Sequence, residues 1–124
     1  MSSESLHEPA EKLSPATIDR HRATVSLMEE LEAIDWYDQR IDAATNEELK
    51  AILRHNRDEE KEHAAMVLEW LRRQDPALDE QLRTYLFKDG AIVAAETEAE
   101  DGGAAGPNEG SLGIGDLRSE EVAP

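Results

Sequence analysis

Two stretches of this chain carry apolar residues at steps that alternate between four and three, and polar groups break each line. The first line runs Ala23, Leu27, Glu30, Ile34, Tyr37, Ile41. The second runs Leu49, Leu53, Asn56, Glu60, His63, Val67, Trp70. That alternation keeps one narrow seam of an α-helix turned towards a partner helix, so the chain is constrained to pair helices along their length. The helix boundaries are readable. Ser14-Pro15 supplies an N-cap hydroxyl and a proline where no amide partner is needed. A first helix follows from about Pro15 to about Ala43, without internal Gly or Pro. Asp42-Ala43-Ala44-Thr45-Asn46 reads as a turn, and Thr45 with Glu48 reads as a capping box that opens a second helix ending near Gln74. Asp75-Pro76 caps a short third helix, about Pro76 to Leu86, with Leu78, Leu82, Tyr85 and Leu86 apolar. Residues 1–13 form a polar lead-in in which Pro9 argues against an early helix.

The polar residues in the seams carry the chemistry. Burying a lone carboxylate costs several kcal/mol, so Glu30 needs a partner. Glu60 and His63 are three apart and share a helix face, where carboxylate and imidazole project together as a two-pronged metal ligand. Glu30 lies 15 residues before Thr45 and Glu60 lies 15 after it. In an antiparallel hairpin both are then about 22 Å from the turn. Glu30, Glu60 and His63 therefore meet at one level of a single helix pair.

Composition sets the limits. At 124 residues the chain makes one domain at most. Thirteen basic against 29 acidic residues give a net charge of −16, which argues against nucleic acid and suits solubility or attraction of cations. With no cysteine, disulfides, thiolate metal sites and thiol nucleophiles are excluded. The start, Met1-Ser2-Ser3-Glu4, lacks the basic and apolar regions of a signal peptide, and no apolar run is long enough for a membrane span. From Asp89 to Pro124 nine acids face one base, Arg118, without an aromatic residue. Such a segment cannot bury enough surface to offset its ordering entropy and is expected to be disordered. The organisation expected is a lead-in at 1–13, a helical domain at 14–88, an acidic linker at 89–109 and a tail at 110–124.

Two helices cannot bury both seams together with the off-seam apolar residues Met28, Leu31, Ile52, Met66, Leu68 and Leu71. A hairpin this small is marginal alone, and pairing two hairpins gives a four-helix bundle. The all-α fold expected is thus an antiparallel two-helix hairpin with a short third helix, dimerising into a ferritin-like bundle. Such a dimer assembles two Glu30, two Glu60 and two His63, the inner shell of a di-metal carboxylate site. Four carboxylates balance two divalent ions, and the oxygen-rich donor set favours iron or manganese, though zinc fits it too.

Further residues carry a resemblance. On the first helix they are Met28-Glu29-Glu30-Leu31-Glu32 and Asp35-Trp36-Tyr37. On the second they are Asn56-Arg57-Asp58-Glu59-Glu60-Lys61-Glu62-His63-Ala64 and Glu69-Trp70-Leu71-Arg72-Arg73. Arg83-Thr84-Tyr85-Leu86-Phe87 and Gly110-Ser111-Leu112-Gly113-Ile114-Gly115-Asp116-Leu117-Arg118 complete the set. Together these resemble the encapsulated ferritins, cargo of bacterial encapsulin nanocompartments. The resemblance implies a ferroxidase that oxidises Fe²⁺ with O₂ at a di-iron centre shared between subunits, while the shell stores the mineral. It implies Glu30, Glu60 and His63 as ligands, Tyr37 close to the centre, and Glu29 with Glu32 as an outer pair attracting metal. It also implies a ring-shaped decamer of five dimers in the bacterial cytoplasm, docked to the shell protein through Leu112, Ile114 and Leu117. A linker of about 25 residues spans roughly 25–30 Å on average, enough to tether a folded body to a wall.

Other readings stand beside this one. The same scaffold could reduce peroxide at a di-metal centre, or the chain could be a non-enzymatic helical adaptor whose tail binds a partner. Glu29, Glu32, Glu59 and Glu62 are most simply a solvated face, Trp36 and Trp70 packing residues, and His21 and His55 ordinary helix residues.

Overall fold

The computed structural model describes residues 5–98, and these are helical without a strand. A 3-10 turn, Ala10–Lys12, precedes three α-helices: α1 (Pro15–Ala43), α2 (Glu47–Gln74) and α3 (Pro76–Tyr85). The chain divides into two compact units, one reaching Asp79 and one beginning at Glu80.

In the first unit, α1 and α2 pack along one another. The Ser14 hydroxyl accepts a hydrogen bond from the Thr17 amide at 3.0 Å, and Pro15 occupies the first helical position. The Ala44 amide donates to the Arg40 carbonyl and closes the end of α1. The turn is only Ala44-Thr45-Asn46, and it corrects the expected capping box. Asn46, not Thr45, is the N-cap of α2, because its side-chain oxygen accepts from the Leu49 amide at 2.9 Å. Glu48 therefore sits at the second helical position, one short of where a capping box needs it. The lead-in differs too. Pro9 ends nothing but begins the 3-10 turn, with its carbonyl accepting from the Lys12 amide.

Residues of both seams are the less exposed ones, with Leu49 and Trp70 at the ends of the α2 line open. Ile41, Ala64 and Leu71 are buried. Leu31, Ile52 and Met66 are more than half exposed, and Met28, Trp36 and Trp70 are also open. A single hairpin thus spends its buried seam on one contact and presents a second apolar surface.

At the far end of α2, Asp75 precedes a proline, which disfavours helical backbone there, and its carboxylate accepts from the Leu78 amide at 3.1 Å. Arg72 grips both carboxylate oxygens of Glu69, at 2.8 and 2.7 Å, and reaches Asp79 on α3. Arg73 adds a 2.6 Å contact to Glu69, and these cations hold the Glu69 carboxyl down at about 2.

In the second unit, the Leu86 amide donates to the Leu82 carbonyl and finishes α3. Phe87 follows with φ +60°, a left-handed position seldom taken by a bulky residue. Within the expected linker, residues 94–98 are helical and Ala95 is buried; the run of Ala and Glu there favours helix. The rest of the linker and the 110–124 tail, with Leu112, Ile114 and Leu117, lie outside the described residues. Among the described residues no helix is long and apolar enough to cross a membrane.

The N-cap assignment has a direct check. Asn46→Ala removes a cap worth about 1 kcal/mol and lowers the urea midpoint of the full chain accordingly. Thr45→Ala leaves the unfolding free energy within about 0.5 kcal/mol of wild type. A loss of about 1 kcal/mol from Thr45→Ala with none from Asn46→Ala would return the cap to Thr45.

Candidate metal centre

Glu30 comes from the middle of α1, and Glu60 and His63 from the middle of α2. Capping fixes where each helix starts, and the three-residue turn fixes how the two run back along each other. As a result one ligand atom from each of the three residues lies within 4.8 Å of the others. Among the described residues this is the group of acids and imidazoles able to hold a metal ion. His63 Nδ1 is 3.0 Å from Glu60 Oε1 and 3.4 Å from Glu30 Oε2. The Glu30 and Glu60 side chains are 23% and 24% exposed, and His63 is 45% exposed, so the cluster opens to one side.

The protonation pattern follows from that geometry. Burial pushes the Glu30 carboxyl above its ordinary value, and its hydrogen bond to Glu60 and the charge of Glu60 push it further. The His63 cation works the other way on Glu30 without prevailing. Glu60 is lowered, first by the hydrogen bond from Glu30 and then by that from His63. His63 is raised, mainly because its ring N–H donates to Glu60; partial burial opposes this, and the charges of Glu30, Glu60 and Glu62 add to it. Glu60 is therefore the acceptor of the group, with Glu30 and His63 both turned towards it. Two carboxylates and an imidazole within one coordination radius form a set that suits iron or manganese. A cation bound there would displace those protons.

The remaining residues singled out from the sequence are arranged differently. Tyr37 lies on the same seam, two turns or roughly 10 Å along α1 from Glu30. Its described contact is the Arg40 guanidinium, 5.4 Å from the ring centre, and it does not join the cluster. Glu29 and Glu32 are exposed and stand outside it, although the charge of Glu29 contributes to raising Glu30. Glu59 pairs with His55 at 3.3 Å on the open surface. Sequence reasoning passed over Asp38 and Arg57, which bridge α1 and α2 at 3.0 Å. The available signal was positional: each follows a seam residue (Tyr37 and Asn56), the flanking place where paired helices exchange ion pairs.

An all-helical hairpin whose two seams converge on a Glu/Glu/His group is a ferritin-like arrangement. The chain belongs to the EncFtn-like family, whose family model matches residues 5–89. It is 61% identical, over 128 aligned positions, to the encapsulated ferritin-like protein of Rhodospirillum rubrum, covering 96% of this chain and 91% of that one. It is 52% identical to a ferritin-like protein of Thermotoga maritima, covering 87% of this chain and 93% of the relative. The encapsulin nanocompartment cargo protein EncC of Myxococcus xanthus is 41% identical, over 72% of this chain and 76% of its own. Among solved structures, the crystal structure of a Nitrosomonas europaea protein superposes with a TM-score of 0.69 at 60% identity, covering 71% of this chain and 97% of that one.

The hydrogen bond to Glu60 sets a measurable sign. In the metal-free protein His63 should titrate above 6.5, its ordinary value. A folded value raised above the unfolded one stabilises the fold fully below about pH 6.5 and ceases to do so as pH rises through the raised midpoint. NMR titration should show that midpoint falling back towards 6.5 in Glu60→Gln. A wild-type midpoint at or below 6.5 would contradict the arrangement.

Proposed function

We propose that this protein is a ferroxidase: it oxidises Fe²⁺ to Fe³⁺ with O₂ at a two-metal centre built from Glu30, Glu60 and His63 of two copies. The observation that carries this reading is the convergence of those three ligand atoms within 4.8 Å. Fe²⁺ is the substrate. One chain offers three donors, fewer than the six an iron ion ordinarily takes, and a two-fold pairing doubles them to four carboxylates and two imidazoles. The four negative charges then match two divalent cations. Each Fe²⁺ gives up one electron and the pair passes two to dioxygen, which takes up two protons and leaves as hydrogen peroxide. The residues hold the two ions close together, and their carboxylates favour the more highly charged ferric product.

Pairing also answers the exposed apolar surface. Covering what remains exposed of Leu31, Ile52 and Met66 contributes about 1 kcal/mol for each side chain. Without metal, like carboxylates from two copies would meet across the interface, so metal and assembly favour each other by linkage. On this reading the dimers build a ring-shaped decamer of five. Glu29 and Glu32 act as an outer pair that draws cations through their field, an effect that weakens with salt. Tyr37 stands on the α1 seam as a residue near the paired centre.

The names of the relatives from R. rubrum and M. xanthus support delivery into an encapsulin compartment of the bacterial cytoplasm. The tail residues Leu112, Ile114 and Leu117 serve as its docking contacts. Apolar residues spaced by glycines suit an extended segment that orders on binding.

Stopped-flow absorbance of ferric product tests the site. Glu60→Ala and His63→Ala should each reduce Fe²⁺ oxidation to the buffer rate, while a chain lacking 112–118 oxidises normally but is not loaded into the shell. Wild-type rates in either site variant would overturn the assignment, and normal loading of the shortened chain would overturn the tail's role.

A further inference from the structure

We propose that Arg57 is a positioning residue for the Glu30/Glu60/His63 group, holding α1 and α2 in the register and rotation that bring those ligands together. The proposal rests on the metal-site reading above. The guanidinium of Arg57 donates through Nη1 to Asp38 on α1 at 3.0 Å and through Nε to Asp58 on α2 at 3.2 Å. Its side chain is 24% exposed, while Asp38 and Asp58 are 53% and 63% exposed, so the bridge lies at the surface. It lies one turn from Glu60, between the site and the Ala44–Asn46 turn.

The three-residue turn sets the register at the joined end, and a contact nearer the site is needed to hold the alignment and rotation there. The seams repeat similar apolar residues (Leu27, Ile34 and Ile41 on α1, Leu53 and Val67 on α2), so apolar packing discriminates weakly between neighbouring alignments. Charged residues flanking a seam are the usual means of choosing among them. The turn fixes the helices only at their joined end, about 22 Å from Glu30 and Glu60. The cluster spans at most 4.8 Å, less than the 5.4 Å of one helical turn, so even part of a turn of slip or rotation separates Glu30 from its partners. An exposed ion pair adds little stability. The value of this one lies in where it fixes the two helices.

The chain has no cysteine, so a label pair introduced at the exposed positions Ser26 and Ala65 is unique. Spin-label distances, measured after dilution into unlabelled protein, read the α1–α2 register without metal. Co²⁺ titration of the full chain reads the site through its visible spectrum and affinity. Arg57→Met should keep the helical circular dichroism, shift or broaden the label distance, and weaken Co²⁺ binding about tenfold, the low end for losing an outer partner of a metal site. The exchanged pair Asp38→Arg with Arg57→Asp should recover most of both. An Arg57→Met protein with unchanged distance and affinity would overturn the proposal, as would weakened binding at an unchanged distance. If the wild-type chain takes up no Co²⁺, the metal reading itself fails and the role of Arg57 falls with it, whatever the label distance does.

Discussion

Two carboxylates lie in the apolar seam of a helical hairpin, and the rest of the structure is consistent with making that tolerable. A buried carboxylate is costly unless a proton, a hydrogen-bond donor or a cation stands against it. Glu30 lies against Glu60, with its carboxyl raised by burial and by that neighbour, and Glu60 is lowered by hydrogen bonds from Glu30 and His63. Such an arrangement holds protons where a multivalent cation can replace them. The three residues contribute little to a hydrophobic core, since the buried apolar side chains of the first unit are few: Ile41, Ala64 and Leu71. Their place in the seam is better explained by ligand chemistry than by packing.

The thinness of the hairpin and the openness of the site are connected. Two helices can close one seam, leaving Leu31, Ile52 and Met66 facing outward and His63 nearly half exposed. A fold that completes its core by pairing can also complete its metal site by pairing. On the proposed pairing, folding, assembly and metal uptake become one linked equilibrium. The Arg72–Glu69–Asp79 contacts pin the start of α3 to the end of α2, which leaves the middle of the hairpin free for that work.

Much of this was legible in the residues. Ser14-Pro15 and Asp75-Pro76 announce helix starts through groups whose local chemistry allows little else; the four–three alternation put Glu30, Glu60 and His63 in the seams, and equal counts from the turn put them level. Where reading failed, two local signals competed. Thr45 and Asn46 are both good caps, and only the geometry of the turn gives the Leu49 amide to Asn46. Pro9 bars a helix from continuing but is well suited to begin a 3-10 turn. The acidic composition after Asp89 hid an Ala/Glu run with helical preference. The Arg57–Asp38 bridge was not read because single charges are common on helix surfaces, and their meaning depends on the rotation of two helices about each other.

Aerobic titration of the purified full-length protein with Fe²⁺, following ferric absorbance and molecular size in the same sample, tests the shared centre most directly. The account predicts fast oxidation that saturates near one iron per chain, accompanied by metal-driven growth from smaller species to a dimer-based assembly. Oxidation no faster than buffer, with size indifferent to iron, would contradict it and leave the Glu30/Glu60/His63 group a hydrogen-bonded structural cluster.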